Sequence, residues 1–204
     1  MLYPTAMTTA PLLVLGSTSP YRRELLGRLG LPFETCSPGV DETPLEGEAP
    51  TERALRLALA KARAVAAEHP GAIVVGSDQV ASLGEGAAAR ILRKPGNADR
   101  CLEQLLMLSG HAARFDTAVA VVAPGRETAT HVDVTRVRFR NFDAVEANRY
   151  IVREPALDCA GGFKCEGLGV TLMDALETTD PTGLVGLPLI WLAGALRRAG
   201  LDLP

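Results

Sequence analysis

The sequence predicts an α/β or α+β domain built on a mixed β-sheet, and three observations carry that reading. Strand-like and helix-like segments interleave along most of the chain. Two short apolar runs, Leu12–Leu15 and Ile73–Val75, are continuous rather than alternating, as in strands covered on both faces. Two longer apolar-rich segments, about 112–123 and 128–140, are joined through Pro124-Gly125 and form one long hairpin. The 204 residues suit one domain, or one domain with two lobes. Residues 1–10 read as an extension, and 11–204 as the single folded unit.

The elements follow in order. The first strand stops at Gly16, Ser19 caps the next helix, and Pro20 fills its first position, where a missing N–H costs nothing. Leu25, Leu26 and Leu29 give this helix an apolar stripe, which Gly30 ends. Leu31–Ser37 predicts a second strand, and an acidic, Pro/Gly-rich loop follows over 38–50 with Asp41-Glu42 in it. Thr51 opens a long helix to about His69, with Leu55, Leu59, Ala62 and Ala66 on one face and Pro70-Gly71 closing it. Ile73–Val75 ends in Gly76-Ser77-Asp78-Gln79, so Asp78 is expected at a strand end. Residues 81–95 read as a loop or short hairpin turning at Gly84 and Gly86. A helix over 97–108 carries Leu102, Leu105 and Leu106. In the second hairpin strand the apolar phase shifts between Val134 and Val137, which predicts a bulge. Asp143 with Glu146 predicts a capped helix to about Arg153, 160–169 a glycine-rich loop, and 188–199 the last helix.

Composition excludes several classes of function. Lys plus Arg number 21 against 24 Asp plus Glu, and aromatics are 4%, which disfavours a nucleic-acid scaffold. No apolar run approaches the roughly 18 residues of a membrane span, and the N-terminal stretch lacks the basic segment of a secretory signal. Cys36, Cys101, Cys159 and Cys165 form no CxxC pair and read as reduced thiols acting as small hydrophobes, so a cytoplasmic location is expected. His69, His111 and His131 show no metal-ligand or triad spacing and read as structural; Trp191 reads as core.

Three polar clusters stand where a ligand site is expected in an open α/β sheet. Ser17-Thr18-Ser19-Pro20-Tyr21-Arg22-Arg23 joins a strand to a helix and offers hydroxyls, guanidiniums and helix N–H groups to a phosphate, though an N-cap with solvated arginines explains the same residues. Asp78-Gln79 offers a carboxylate for a metal or for general-base work, or a plain turn. Asp41-Glu42 offers hard oxygen ligands, or a solvated turn. No GxxxxGK[ST] or GxGxxG occurs. With Lys61 and Lys94 as further cations, the combination suits metal-assisted attack of water on a phosphoanhydride.

Over roughly residues 12–200 the chain resembles the Maf family of nucleoside triphosphate pyrophosphatases. The matching stretches are STSPYRRELL at 17–26, VDET at 40–43, ALAKA at 58–62, VVGSDQV at 74–80, Lys94-Pro95, LSGH at 108–111, CAGGFKCEGLG at 159–169 and VGLPL at 185–189. The resemblance implies an ITPase-like α/β fold, with an elongated mixed sheet flanked by helices and two lobes around a central cleft. It also implies a divalent cation (Mg or Mn), a cytoplasmic location and frequent homodimers. By motif, Asp78 is the implied proton acceptor. Ser17, Arg22, Lys61 and Lys94 are implied to hold phosphates, and Glu42 and Asp78 to stand near the metal. Tyr21, Gln79 and Glu166 resemble the branch that hydrolyses 7-methyl-GTP. An aromatic face at Tyr21 suits a cationic base, Glu166 suits the guanine N1–H and amine, and Gln79 offers one donor and one acceptor. Arg93 departs from the glycine common before the Lys-Pro pair. Two other readings stand beside this one: a broader pyrophosphatase for modified or non-standard nucleotides, and a non-catalytic nucleotide-binding regulator of septum formation.

Overall fold

The computed structural model describes residues 11–204; the extension expected over 1–10 lies outside the described residues. A seven-stranded mixed sheet runs in the order β2-β1-β3-β5-β6-β7, with β4 also paired to β3. The strands are β1 (Leu13–Gly16), β2 (Glu34–Cys36), β3 (Ile73–Leu83), β4 (Arg90–Leu92), β5 (Ala112–Val122), β6 (Ala129–Phe139) and β7 (Met173–Glu177). The helices are α1 (Pro20–Gly27), α2 (Pro50–Glu68), α3 (Ala98–Leu108), α4 (Ala144–Arg153) and α5 (Leu189–Ala199). Strands β2, β1 and β3 are parallel, and the rest pair antiparallel. Among the described residues no helix is long and apolar enough to cross a membrane.

Pairing on one edge of β3 is interrupted, and this opens the cleft. β1 pairs with β3 only as far as Gly16↔Gly76, and β4 joins the same strand from Ala81↔Leu92 onward. Between those ladders Ser77, Asp78, Gln79 and Val80 are held by β5 alone. Two apolar cores flank the gap. One joins β1, α1 and α5 to the starts of β3 and ends of β5; the other joins α3, α4 and β4 to the opposite ends of β5 and β6. These are the two lobes, each with its own buried side chains.

Helix α2 closes one face, and its buried stripe is rotated from the expected one. Ala54, Leu57, Ala58, Lys61, Ala62 and Val65 are buried, while Leu55 and Leu59 sit half-buried at the margin. Small residues win because helix and sheet touch. A Cβ on Gly76 would lie 2.5 Å from the Ala58 carbonyl oxygen and 2.5 Å from the Ala62 nitrogen. Only alanine opposite glycine permits that approach.

Three further expectations are corrected. Asp78 and Gln79 are not beyond a strand end: β3 continues to Leu83, because β5 pairs with it without a break. No bulge divides β6 at 134–137, and its ladder with β5 is regular from Ala129 to Arg138. The buried phase there is Asp133, Thr135, Val137 and Phe139, so polar side chains on the core face, not a slipped register, break the apolar pattern. The one shift, at Arg138/Phe139, is in the pairing with β7. Strand β7 (MDALE) is not among the expected elements; it carries no alternating signal, and its placement comes from pairing with β6. The glycine-rich 160–169 segment is a loop with short 3₁₀ turns at Ala160–Gly162 and from Leu168, and the predicted second strand shrinks to Glu34–Cys36.

Candidate active site

The gap beside β3 opens into a cleft of about 880 Å³. Ser17, Tyr21, Arg22, Glu42, Lys61, Asp78, Gln79, Lys94 and Glu166 all line it, so the nine residues given roles by the family resemblance face one space. Asp41 and Arg23, also offered by the polar clusters, are not among its lining residues, and the Asp41 carboxylate instead accepts the Thr43 N–H and hydroxyl. Six cationic side chains (Arg22, Arg53, Lys61, Arg93, Lys94, Lys164) line it against four acidic ones (Glu42, Asp78, Asp158, Glu166), although the chain carries a net charge of −3. The positive excess is local, as a polyanionic ligand requires.

At the floor lies Lys61. The close approach of α2 to Gly76 brings its ammonium to 2.7 Å from Asp78 Oδ1, and the acidic loop brings Glu42 Oε1 to 2.6 Å. Lys61 and Asp78 are 6% and 8% exposed, so neither charge is screened by bulk water. Asp78 Oδ2 takes no hydrogen bond from the described residues. Partial burial raises the pKa of Glu42, but its hydrogen bond with Lys61 and the charges of Lys61, Arg22 and Lys94 outweigh that and hold it below its ordinary value.

Helix α1 supplies the opposite wall. Ser19 Oγ accepts the Arg22 N–H at 3.4 Å, and the buried Ser17 hydroxyl accepts the Ser19 N–H at 3.2 Å. Arg22 donates through Nε to the Gly186 carbonyl at 3.0 Å, and the Ser77 hydroxyl donates to the same oxygen at 3.0 Å. Burial lowers the Arg22 pKa, and Asp78 and Glu42 pull it back up. Gly186 adopts φ +128°, a conformation that L side chains rarely take.

At the rim, the Tyr21 hydroxyl donates to Asp158 Oδ2 at 3.1 Å, and the Lys164 ammonium stands 5.6 Å from the Tyr21 ring centroid. Burial is the main reason the Tyr21 phenol is held well above its ordinary pKa. Burial likewise pushes the Cys159 thiol up to about 11 and the Cys165 thiol to about 12, so both are protonated at neutral pH. Glu166 is exposed at this rim, its Oε2 3.3 Å from Cys165 Sγ.

Gln79 points to the other face of β3 from Asp78. Its amide nitrogen stands 2.9 Å from Thr117 Oγ1, 3.1 Å from Gly183 O and 2.9 Å from Leu184 O, three acceptors that share its two N–H donors. Two carbonyls fix the amide orientation, because only the NH₂ end can serve them. The donor expected for a ligand is therefore spent on the protein, and the Gln79 carbonyl oxygen is the end of the amide that takes no hydrogen bond from the described residues.

Asp158, Lys164 and the Gly186 carbonyl escaped sequence reasoning. Each meets its partner across 137 or more residues of chain, or lies within a quoted motif (CAGGFKCEGLG, VGLPL) with no spacing signal of its own.

The donor set fits a divalent ion. Two carboxylate oxygens from separate elements, Glu42 Oε1 and Asp78 Oδ1, already converge on one cationic point, the Lys61 ammonium. Hard oxygens on two carboxylates suit Mg²⁺ or Mn²⁺, with water completing the shell.

The family model described as Maf-like protein matches residues 12–199. A protein named 7-methyl-GTP pyrophosphatase from Xanthomonas campestris pv. campestris (strain 8004) is 54% identical over 194 residues, 95% of this chain and 99% of that one. One of the same name from Xanthomonas oryzae pv. oryzae (strain MAFF 311018) is 55% identical over 194 residues, covering 95% and 100%. A third, from Cupriavidus metallidurans, is 47% identical over 193 residues, covering 94% and 95%. A solved structure of a nucleoside-triphosphatase / dITP/XTP pyrophosphatase from Mycobacterium abscessus superposes with TM-score 0.43 at 19% identity, over 92% of this chain and 93% of that one.

Proposed function

This chain belongs to the Maf family, and we propose that it is a nucleoside triphosphate pyrophosphatase that hydrolyses 7-methyl-GTP to 7-methyl-GMP and pyrophosphate. The observation that carries the reading is the convergence of Ser17, Arg22, Glu42, Lys61 and Asp78 on one cleft, with a buried ammonium held between two carboxylates. The name of the relatives supports the substrate.

In this reading the triphosphate lies along the α1 N-terminus. The helix N–H groups, Ser17 and the braced Arg22 guanidinium meet its oxygens, and Lys94 reaches it from the β4 side. Asp78 Oδ2 takes a proton from the water that attacks the α-phosphorus; the α–β anhydride bond breaks and pyrophosphate leaves. Lys61 orients the Asp78 carboxylate through Oδ1 and neutralises charge from the floor. Glu42 and Asp78 would hold a divalent cation, which supplies Lewis-acid polarisation of the phosphate oxygens. The protein is further proposed to work in the cytoplasm, as a homodimer.

Base selectivity falls to the rim. Methylation at N7 makes guanine a delocalised cation. The Tyr21 ring is suited to one, since the Lys164 ammonium already stands 5.6 Å from its centroid. Glu166 adds a carboxylate for the N1–H and amine edge, and the Gln79 carbonyl oxygen one acceptor.

The test is a substrate panel of 7-methyl-GTP, GTP, dTTP, UTP and ITP with Mg²⁺ or Mn²⁺, scored by pyrophosphate release. Strong preference for 7-methyl-GTP is expected. Equal turnover of GTP and 7-methyl-GTP would defeat the cation argument and leave a broader pyrophosphatase. Nucleotide binding with no turnover of any substrate would leave a binding regulator.

A further inference from the structure

We propose that Cys36, Glu68 and His69 form a second metal site, of the zinc class, where the edge strand β2 meets the C-terminal end of α2, on side chains that do not line the cleft. One ligand atom from each of the three lies within 4.8 Å of the other two, and no other grouping of three or more His, Cys, Asp or Glu does so among the described residues. Cys36 ends the edge strand β2, and Glu68 and His69 close α2.

The chemistry of the donors selects the ion. A thiol, an imidazole and a carboxylate are the ligand types of zinc and its late first-row neighbours, whereas magnesium and manganese favour oxygen alone. Three protein ligands leave a fourth position for water.

Two of the donors are already held for the task. His69 Nδ1 lies 3.1 Å from the Val65 carbonyl oxygen, which can only accept. In the neutral ring this contact puts the proton on Nδ1 and makes Nε2 the nitrogen available to a metal. A backbone carbonyl on the far nitrogen is the usual orienting contact of a metal-binding imidazole. The His69 backbone N–H donates to the same Val65 oxygen at 3.1 Å, so residue and ring are anchored at one point. Cys36 is fixed through its pairing with Gly16 in β1, and packs beside the buried Val14, Val65, Ala72 and Val74. Its Sγ is 3.9 Å from Oε2 of Glu68, the one exposed donor of the three. Bond lengths of about 2.0–2.3 Å to tetrahedral zinc require the donors to close by roughly 1 Å, which side-chain rotation supplies.

A bound ion would staple the free edge strand to the end of α2. The chain leaving Cys36 runs straight into the cleft wall at Ser37–Val40 and on to Glu42, and α2 carries Lys61 two turns upstream. The cleft is reached only through this backbone, so the principal effect is on stability rather than on chemistry.

The experiment is a Co²⁺ and Zn²⁺ titration of the reduced, full-length protein in excess Mg²⁺, which keeps the hard oxygen sites occupied. One equivalent of Co²⁺ is expected to give a near-ultraviolet thiolate charge-transfer band that Zn²⁺ removes. Zn²⁺ at about a hundredfold over its dissociation constant should raise the melting temperature by roughly 5–10 °C. Cys36→Ser and His69→Gln should each abolish both signals, and Glu68→Gln should weaken binding about tenfold or more. Metal-free melting temperatures of the variants report on folding; should Cys36→Ser melt early, His69→Gln and Glu68→Gln decide the matter. A band that persists in Cys36→Ser, no band in the native protein, or an equal zinc shift in all variants would overturn the proposal.

Discussion

Gly76→Ala tests whether close packing of α2 on β3 sets the geometry of the cleft floor. The added Cβ would meet the Ala58 oxygen and Ala62 nitrogen at 2.5 Å and the Ala62 Cβ at 2.8 Å, where ordinary contact begins at 3.4 Å. Two of these three atoms are backbone, so no rotamer relieves the clash; the helix must retreat by about 1 Å. That retreat would carry Lys61 with it and stretch its 2.7 Å bond to Asp78 beyond hydrogen-bond range. Overpacking of this kind costs about 1–3 kcal/mol, or roughly 2–12 °C in melting temperature for a chain this size. A 1 Å displacement of catalytic groups costs about 10²-fold in rate. The assay is kcat for pyrophosphate release beside a thermal melt. Ala62→Gly should not rescue the variant, because the backbone atoms remain. Gly16→Ala, whose Cβ would meet Val65 Cγ2 at 3.2 Å and the Lys61 oxygen at 3.3 Å, should show the same effects more weakly. A Gly76→Ala enzyme with kcat within twofold of the native one would refute the link between packing and catalysis.

Asp78→Asn should lower turnover by about 10²–10⁴-fold, with nucleotide affinity by calorimetry changed far less; parallel loss of both would deny Asp78 a proton-transfer role. Tyr21→Leu should cost the methylated substrate about 0.5–2 kcal/mol relative to GTP, a change of roughly 2- to 30-fold in the ratio of kcat/KM values. Glu166→Gln should erode that ratio too, and equal loss on both substrates would remove Glu166 from base recognition. For Glu42, the folded pKa is depressed, so its contribution to stability is present above the unfolded-state pKa and lost as pH falls through the folded one. Native protein and Glu42→Gln should therefore differ in urea midpoint near pH 7 and converge below the ordinary carboxylate range; a gap that widens on acidification would contradict the sign.

Local chemistry is what the sequence made legible. Ser19 and Pro20 start α1 as their types dictate, and the Asp143–Glu146 pair closes its reciprocal cap at 2.9 and 3.3 Å. The hairpin of β5 and β6 and the Gly84 and Gly86 turns are also where the chain signals them. These features need only neighbours in sequence. The nine candidate site residues were legible through motif order, and the structure puts them around one cleft. Illegible features depend on distant partners. Asp78 sits inside a strand because β5 extends it, and Gln79 loses its donor to carbonyls more than a hundred residues away. The alanine stripe of α2 looks weaker than the leucine one until Gly76 is set against it.

The apparent phase slip in β6 explains how Arg22 is aimed. Asp133 and Thr135 are buried on the core face because a threonine-rich turn needs them. Asp133 accepts the hydroxyls of Thr178 and Thr179, and its carboxylate fills the space a Cβ on Gly183 would take. Asp180, equally buried, accepts the Thr182 N–H and hydroxyl on one oxygen and the Ile190 N–H at the start of α5 on the other. Thr182 Oγ1 in turn accepts the Leu189 N–H at 2.8 Å and lies 2.9 Å from the Leu187 carbonyl oxygen. The turn so tied presents the Gly186 oxygen to both Arg22 and Ser77. Buried carboxylates are expensive unless fully hydrogen-bonded, and these two are bonded to turn and helix rather than to the cleft. Their place is to hold a carbonyl still, which lets a guanidinium on α1 keep one orientation in the wall of a cleft whose buried ammonium and carboxylate come from α2 and β3.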